Sequence, residues 1–330
     1  MKLETVLQKL STCFLKLESG FEYGSQGRLL LRNIENLWFH QCVTTSRYNV
    51  FLTGSDKFSK TIQDLKDANI DTLPFGLAAV ENSKLSWNES LVNSKNKAIV
   101  HKVAKVVTFC DGTNAKDLFH KKQRERKAWW RKIVQQPSRF FLTEAKKGKN
   151  NESIDIRAEF PFGNITVETI NYQRDVRKIF LQDKNCNDND NDISAVEHVA
   201  SLDWGCLVLL CDSFKETTSC SELQLQPKIA PYKAICKVNL EGNESESIVE
   251  DLNQLVLYIN NLLRSSGLGT VLINDNLFEN ISKHLHVPFI IGVDKVSLKS
   301  GIVSVTSHVT TLAESVHVSQ LIDHIASNCK

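Results

Sequence analysis

The sequence predicts a mixed α/β (α+β) protein built in two parts, and three observations carry this. The last hundred residues alternate β-rich runs with amphipathic segments in the order strand, helix, strand, helix, strand, strand, helix. That order implies a compact α/β domain with a mixed sheet. The front two thirds mix short strands and longer helices less regularly, as an α+β domain does. Pro227 and Pro231 mark a linker, so the domains are expected at 1–226 and 227–330. A chain of 330 residues is long enough for both to bury a core.

Each element has its own signal. Leu3, Val6, Leu7, Leu10, Phe14 and Leu17 fall on one helical face, with Lys2, Lys9 and Lys16 among them. Transit peptides are also amphipathic but Arg-rich and poor in acids. Here the first arginine is Arg28 and Glu4 and Glu18 intervene, so the segment reads as the first helix of the fold. Helices follow at 28–43 and 117–134, and a strand at Val103–Phe109. The polar stretch EAKKGKNNES (144–153) reads as a loop. NCNDNDND (185–192) imitates the start of an EF-hand, but Ile193 and Val199 stand at the loop glycine and the closing acid, so it reads as a solvated loop.

In the C-terminal part, YKAICKV is a strand. Ile248, Val249, Leu252, Leu255, Val256, Ile259, Leu262 and Leu263 then keep helical spacing behind a Ser247/Glu250 capping box. Gly267 falls at the left-handed position that ends such a helix. Strand TVLI, a helix around LFENISKHL, and strands PFIIGV and GIVSVTS come next. A final helix is expected to open on Thr311 and Glu314 in capping-box register and to run through Leu321, Ile322 and Ile325.

Composition excludes several classes. Hydrophobic residues make up 42% and charged residues 24%, ordinary for a globular chain. A net charge of +2 is too small for a bulk polyanion binder, so any nucleic-acid affinity must be local. The nine cysteines form no CxxC pair, which favours reduced thiols over a disulfide framework or a zinc site. No cofactor or metal site is expected. The longest apolar run, CLVLLC, is far short of a membrane span.

One tract concentrates charge, HKKQRERKAWWRK at 120–132. Lys121, Lys122, Arg124, Arg126, Lys127 and Arg131, with Lys132, are the candidates to neutralise phosphates. The same cations also suit an ordinary solvated helix face. Trp129, Trp130, Ile133 and Val134 cluster on one side with Leu118 and Phe119 nearby, so the tryptophans read as core rather than as base-stacking platforms.

Several tracts together resemble glycyl-tRNA synthetase, a class II synthetase. These are FEYGSQGRLLLRNIENLWFHQCV, LPFGLA (73–78), AEFPFG (158–163), LDWGCLVLLCDSF (202–214) and KIAPYKAICKV, in the family's order and covering nearly the whole chain. The resemblance implies a class II synthetase-like antiparallel-sheet core followed by an anticodon-binding-like domain. Two departures imply lost catalysis. Such enzymes hold ATP phosphates with two arginines, because a fixed guanidinium stabilises the charge that develops in adenylation. Trp87 in Ser86-Trp87-Asn88-Glu89 stands for the first arginine, and Trp204 in Ser201-Leu202-Asp203-Trp204 for the second. No catalytic residues are therefore expected.

A closer resemblance is to the accessory subunits of mitochondrial DNA polymerase gamma. It rests on KAWWRKIVQQPSRF, FPFGNITVETI, LDWGCLVLLCDSF and TTLAESVHVSQLIDHI. The family's closing D-T-T reads Val309-Thr310-Thr311 here, so its acid is missing. The resemblance implies a mitochondrial (matrix, nucleoid), non-enzymatic processivity factor. It would bind the polymerase catalytic subunit and strengthen its hold on double-stranded primer-template DNA. It places the partner interface at Gly301, Ile302, Val303, Thr310, Thr311 and His317. Vertebrate-type members carry a long helical dimerisation insertion where only LTGSDKFSKTIQDLKDANIDT stands here, which predicts no homodimer and one-to-one pairing. The other readings are a synthetase-derived tRNA- or RNA-binding module and an active synthetase, and the two tryptophans argue against the last.

Overall fold

The computed structural model describes residues 2–10, 13–91, 99–176, 193–216, 221–242, 244–272, 285–308 and 310–329. The expected loop at 185–192, most of the expected helix around 277–285, and Val309 lie outside these. The chain divides into two compact units, Met1–Asp212 and Ser213–Lys330. The division comes earlier than the expected 226/227, so that residues 213–226 join the proline segment in the second unit. There the Lys233 ammonium donates to the carbonyls of Pro227, Lys228 and Ala230 at 2.7, 3.0 and 2.9 Å.

In the first unit, α1 (Leu3–Leu10) is shorter than its amphipathic pattern suggested. The rest of that pattern is β1 (Leu15–Leu17), paired antiparallel with β2 (Phe21–Tyr23). Next, α2 (Ser25–Phe39) continues into a π-helical turn at His40–Thr44. Then come β3 (Val50–Leu52), α3 (Phe58–Asp67), β4 (Phe75–Ser83), β5 (His101–Asp111) and α4 (Gly112–Arg131). The remaining elements are β6 (Phe140–Leu142), β7 (Lys146–Lys147), β8 (Asn151–Phe160), β9 (Gly163–Gln173), β10 (Ile193–Ser201) and α5 (Leu202–Ser213). The strands β3-β4-β5-β10-β9-β8-β6 form one sheet, with β7 paired to β8. Only β3 and β4 run parallel among these neighbours. The 144–153 stretch is thus a tight hairpin rather than a plain loop, because Lys146 and Lys147 pair with Ser153 and Glu152.

Alternation along the long strands gives the sheet two faces. On one, Ile62 and Leu65 of α3 pack with Phe75, Leu77, Phe109 and Ala195. Against the other, α4 buries Leu118, Phe119, Trp129 and Trp130. Trp130 stacks on Phe140, rings 8° apart at 6.0 Å. A Cβ on Gly205 of α5 would lie 2.4 Å from the Trp130 ring, so only glycine lets the indole in. The tryptophan pair is core, as its spacing predicts.

The second unit opens with the pair β11 (Phe214–Glu216) and β12 (Ser221–Leu223). After β13 (Ala234–Val238), α6 (Glu246–Ser265) starts behind Ser245 rather than at the expected Ser247/Glu250 box, and Ser245 makes no side-chain cap. Gly267 takes the left-handed conformation expected of it, at φ 78°. Then follow β14 (Thr270–Val271), β15 (Phe289–Val293), α7 (Lys295–Ser300), β16 (Ile302–Ser307), β17 (Ala313–His317) and α8 (Leu321–Asn328). The sheet order is β14-β13-β15-β16-β17, parallel as far as β15 and antiparallel beyond, so it is mixed. The final helix does not open on Thr311 and Glu314. That tract is β17, because Val316 and Val318 alternate into the core and pull the backbone into strand register.

Among the described residues no helix is long and apolar enough to cross a membrane, and seven cysteines are free thiols.

Candidate nucleic-acid and partner surfaces

Helix α4 separates the seven cations of its tract by where the helix turns them. Arg124 and Lys132 are exposed, and Lys121 and Lys127 half-buried. Lys122 sits 3.3 Å from Glu125 and 5.5 Å from the centre of the Tyr48 ring. Glu125 also lies 4.0 Å from Lys121, a weak pair at this exposure. Arg131 donates to the Phe140 carbonyl at 2.8 Å.

Arg126 does not belong to the surface. It is 2% exposed, turned into the core by the same helical phase that buries Trp130. Its Nε and Nη2 donate to the two carboxylate oxygens of Glu168 on β9, at 2.7 and 3.2 Å. Its Nη1 donates to Cys42 Sγ at 3.1 Å, and the guanidinium lies 4.4 Å from the centre of the Trp129 ring. Trp130 Nε1 donates to Glu168 at 2.7 Å, and His198 Nδ1 lies 3.1 Å away from the same carboxylate. Burial pushes the Glu168 carboxyl up, but the Arg126 charge and the bonds from His198 and Arg126 outweigh it and hold it down at about 2. Burial lowers His198 to about 4, so its imidazole is neutral at pH 7. The expected DNA contact at Arg126 is therefore corrected: a buried, bidentate ion pair cannot reach a phosphate.

The sequence reading missed a second basic group. A cleft of about 790 Å³ at the start of α4 is lined by Lys116, Lys147, Lys149 and Arg174, with Asp111 and Glu152 opposing them. These cations lie far apart in the sequence, on α4, the β7–β8 hairpin and the end of β9. No run of charge announces them.

Both positions that the resemblance assigns to ATP-binding arginines hold indoles. Trp204 is 1% exposed and meets the Phe21 ring edge-on at 5.0 Å. Asp203 beside it accepts from Tyr23 Oη and the Lys102 amide, each at 2.6 Å. Trp87 lies half-buried, 5.5 Å from the ring of His101, whose Nδ1 is 2.8 Å from Ser201 Oγ. Asn88 next to it pairs with the Thr166 backbone, accepting from its amide at 2.7 Å and donating to its carbonyl at 3.0 Å. No group of three or more His, Cys, Asp or Glu could hold a metal ion among the described residues.

In the second unit the six interface candidates come together around the β16–β17 ladder but differ in what they offer. Ile302 (44% exposed), Thr310, Thr311 and His317 face solvent. Val303 is 1% exposed and packs in the core, so its side chain is not available to a partner, a correction to the expectation. Gly301 has φ 68°, and a Cβ there would lie 2.7 Å from His317 Nε2. His317 Nδ1 in turn accepts from the Ser319 amide at 3.2 Å. Glycine is required here twice over, by backbone angle and by the imidazole above it.

Comparison with known proteins bears on both units. No protein-family model matches the chain. It is 26% identical over 282 residues to the mitochondrial DNA polymerase subunit gamma-2 of Xenopus laevis, covering 77% of this chain and 59% of that protein. It is 25% identical over 225 residues to the mitochondrial DNA polymerase subunit gamma-2 of Drosophila melanogaster, covering 63% and 61%. The DNA polymerase subunit gamma-2 of Mus musculus is 25% identical over 274 residues, covering 77% and 59%. The chain is thus similar to DNA polymerase gamma-2 subunits at 25–26% identity, across as much as 77% of its length. It spans about three fifths of the length of these gamma-2 relatives.

Proposed function

We propose that this chain is a non-catalytic accessory subunit of mitochondrial DNA polymerase gamma. It acts as a processivity factor, binding the catalytic subunit one-to-one in the mitochondrion and strengthening its grip on primer-template DNA. The observation that carries this is the similarity to named gamma-2 subunits across as much as 77% of the chain. The first unit is a class II synthetase-like core and the second an anticodon-binding-like domain. The indoles at 87 and 204 support a core that does not form adenylates, since neither can neutralise a phosphate.

DNA contact falls to the cations that reach solvent. Lys121, Arg124 and Lys127 on α4 serve, with Lys116, Lys147, Lys149 and Arg174 continuing the basic surface around its N-terminal end. Such contacts position a duplex and carry no sequence information. The second unit holds the catalytic subunit through Ile302, Thr310, Thr311 and His317. Chemistry stays in the partner; ordering a polymerase element lowers its off-rate from DNA.

Primer extension by the cognate catalytic subunit at moderate salt, with and without this chain, tests the reading. Longer products with the chain are expected. Unchanged product length overturns it, and tight tRNA binding alongside would favour an RNA-binding module. ATP–pyrophosphate exchange with glycine would restore an active synthetase.

A further inference from the structure

The hydrogen-bond parity of β17 leaves one side of the strand unused. Two bonds frame its ladder with β16, Ser307 N–H to the Leu312 carbonyl at 3.0 Å and Val318 N–H to the Gly301 carbonyl at 2.9 Å. The register between them, Ile302 opposite His317 through Thr306 opposite Ala313, has no bulge. Antiparallel bonds recur at every second residue, so Glu314 and Val316 turn their amides and carbonyls inward. Ala313, Ser315 and His317 direct theirs outward. Strand β17 is the last in its sheet, and among the described residues nothing pairs beyond it.

Sheet edges are normally blunted by very short length, by charged side chains (lysine above all), by proline, by a bulge or by a covering element, and here Glu314 supplies a single charge. The sequence Ala313-Glu314-Ser315-Val316-His317 contains neither proline nor lysine. All but Val316 are exposed, and Leu312 just before them is 66% exposed. An outward row of alternating donors and acceptors is matched at every position only by another β-strand. A DNA backbone offers phosphate acceptors alone and would leave the carbonyls of 313, 315 and 317 unmatched, and the phosphates of DNA or RNA alike would be repelled by Glu314.

We propose that the outer edge of β17 receives an extended segment of the polymerase catalytic subunit as a sixth strand of this sheet. The identity of the partner rests on the function proposed above; the edge itself does not. The added strand carries a cationic residue beside Glu314, whose side chain is 68% exposed, and an apolar one beside Leu312. Larger side chains fit on the other face, where Ala313 and Ser315 are small. The edge is continuous with Ile302 and His317, paired across the ladder and both exposed.

Amide hydrogen exchange on the full chain, alone and with the catalytic subunit, tests this directly. Amides of Ala313, Ser315 and His317 exchange fast in the free chain and slow at least tenfold in the complex, while those of Glu314 and Val316 are protected in both. Ser315→Pro removes an outward N–H and leaves the inward bonds in place, since proline is tolerated where a strand N–H faces solvent. It weakens the complex at least tenfold and keeps a cooperative melt, whereas Ser315→Ala binds as the parent does. A complex that forms with these three amides still fast overturns the edge assignment alone. Failure of the parent chain to bind the catalytic subunit at all overturns the partner, and the function proposed above with it. Protection that appears in the chain alone as its concentration rises identifies a second copy as occupant, and also overturns the assignment.

Discussion

Arg126 meets Glu168 end-on inside the first unit, Nε to Oε1 at 2.7 Å and Nη2 to Oε2 at 3.2 Å. The pair joins α4 to β9 at a point where both side chains are almost wholly out of water. Breaking it by Arg126→Ala leaves the carboxylate buried with less compensation, and a loss of about 3–5 kcal/mol is expected. Urea unfolding measures it. A loss under about 1 kcal/mol would mean that water reaches Glu168.

Acid should unfold the chain through Glu168 and His198 of this cluster and through His101, which is buried separately against Ser201. His198 and His101, both lowered by burial to about 4, are neutral in the fold and take up protons more readily when unfolded. Their contribution is complete above about 6.5 and is lost as pH falls from there through 4. Glu168, held at about 2, loses its contribution as pH falls from its ordinary value near 4.5 through 2. The melting temperature is therefore expected to decline below pH 6.5, most steeply between about 4.5 and 4, and to go on falling below 4 as Glu168 takes up its proton. In His198→Gln the first part of the decline should be shallower; an unchanged profile contradicts the assignment.

Gly301→Ala forces a Cβ into a left-handed residue and against the His317 ring. The expected cost is more than about 1 kcal/mol, above the usual effect of a glycine replacement where the backbone is compatible. Gly301→Ala/His317→Ala should recover the steric part but not the backbone part. Equal stability of the two variants would show that the ring moves freely.

Lys121→Ala, Arg124→Ala and Lys127→Ala together should lower the salt-dependence slope of duplex binding by about 0.9 for each phosphate that is no longer neutralised. Arg126 belongs to a different class: its removal acts through stability, not through the slope. A slope unaffected by the triple change would move the duplex to the cleft lined by Lys116, Lys147, Lys149 and Arg174.

The parts of the fold visible in the sequence were those with long, unbroken periodicity. Helix α6 carries eight apolar residues at helical spacing, and its existence and left-handed end were legible; only its start moved, because Ser245 rather than Ser247 precedes the first turn. Short elements decided by pairing were not legible. β1 reads as helix because Phe14 and Leu17 happen to extend a helical stripe, and β17 because Thr311 and Glu314 happen to be three apart. Yet Val316 and Val318, two apart, already pointed to a strand. Asp294 and Ser297 form a real capping box on α7, a signal present in the sequence and passed over. On the surface, a charge run reveals which residues are basic but not which way each one faces. Arg126 sits amid six other cations, and only the partner at Glu168, forty-two positions away, decides its fate.

An open strand edge has a consequence for the cell as well as for the complex. A chain made in excess of whatever covers β17 exposes a template on which any extended polypeptide can align, its own copies included. With the catalytic subunit proposed above as that cover, solubility is expected to follow the ratio in which the two gene products are made, and co-expression rather than refolding is the expected route to soluble material.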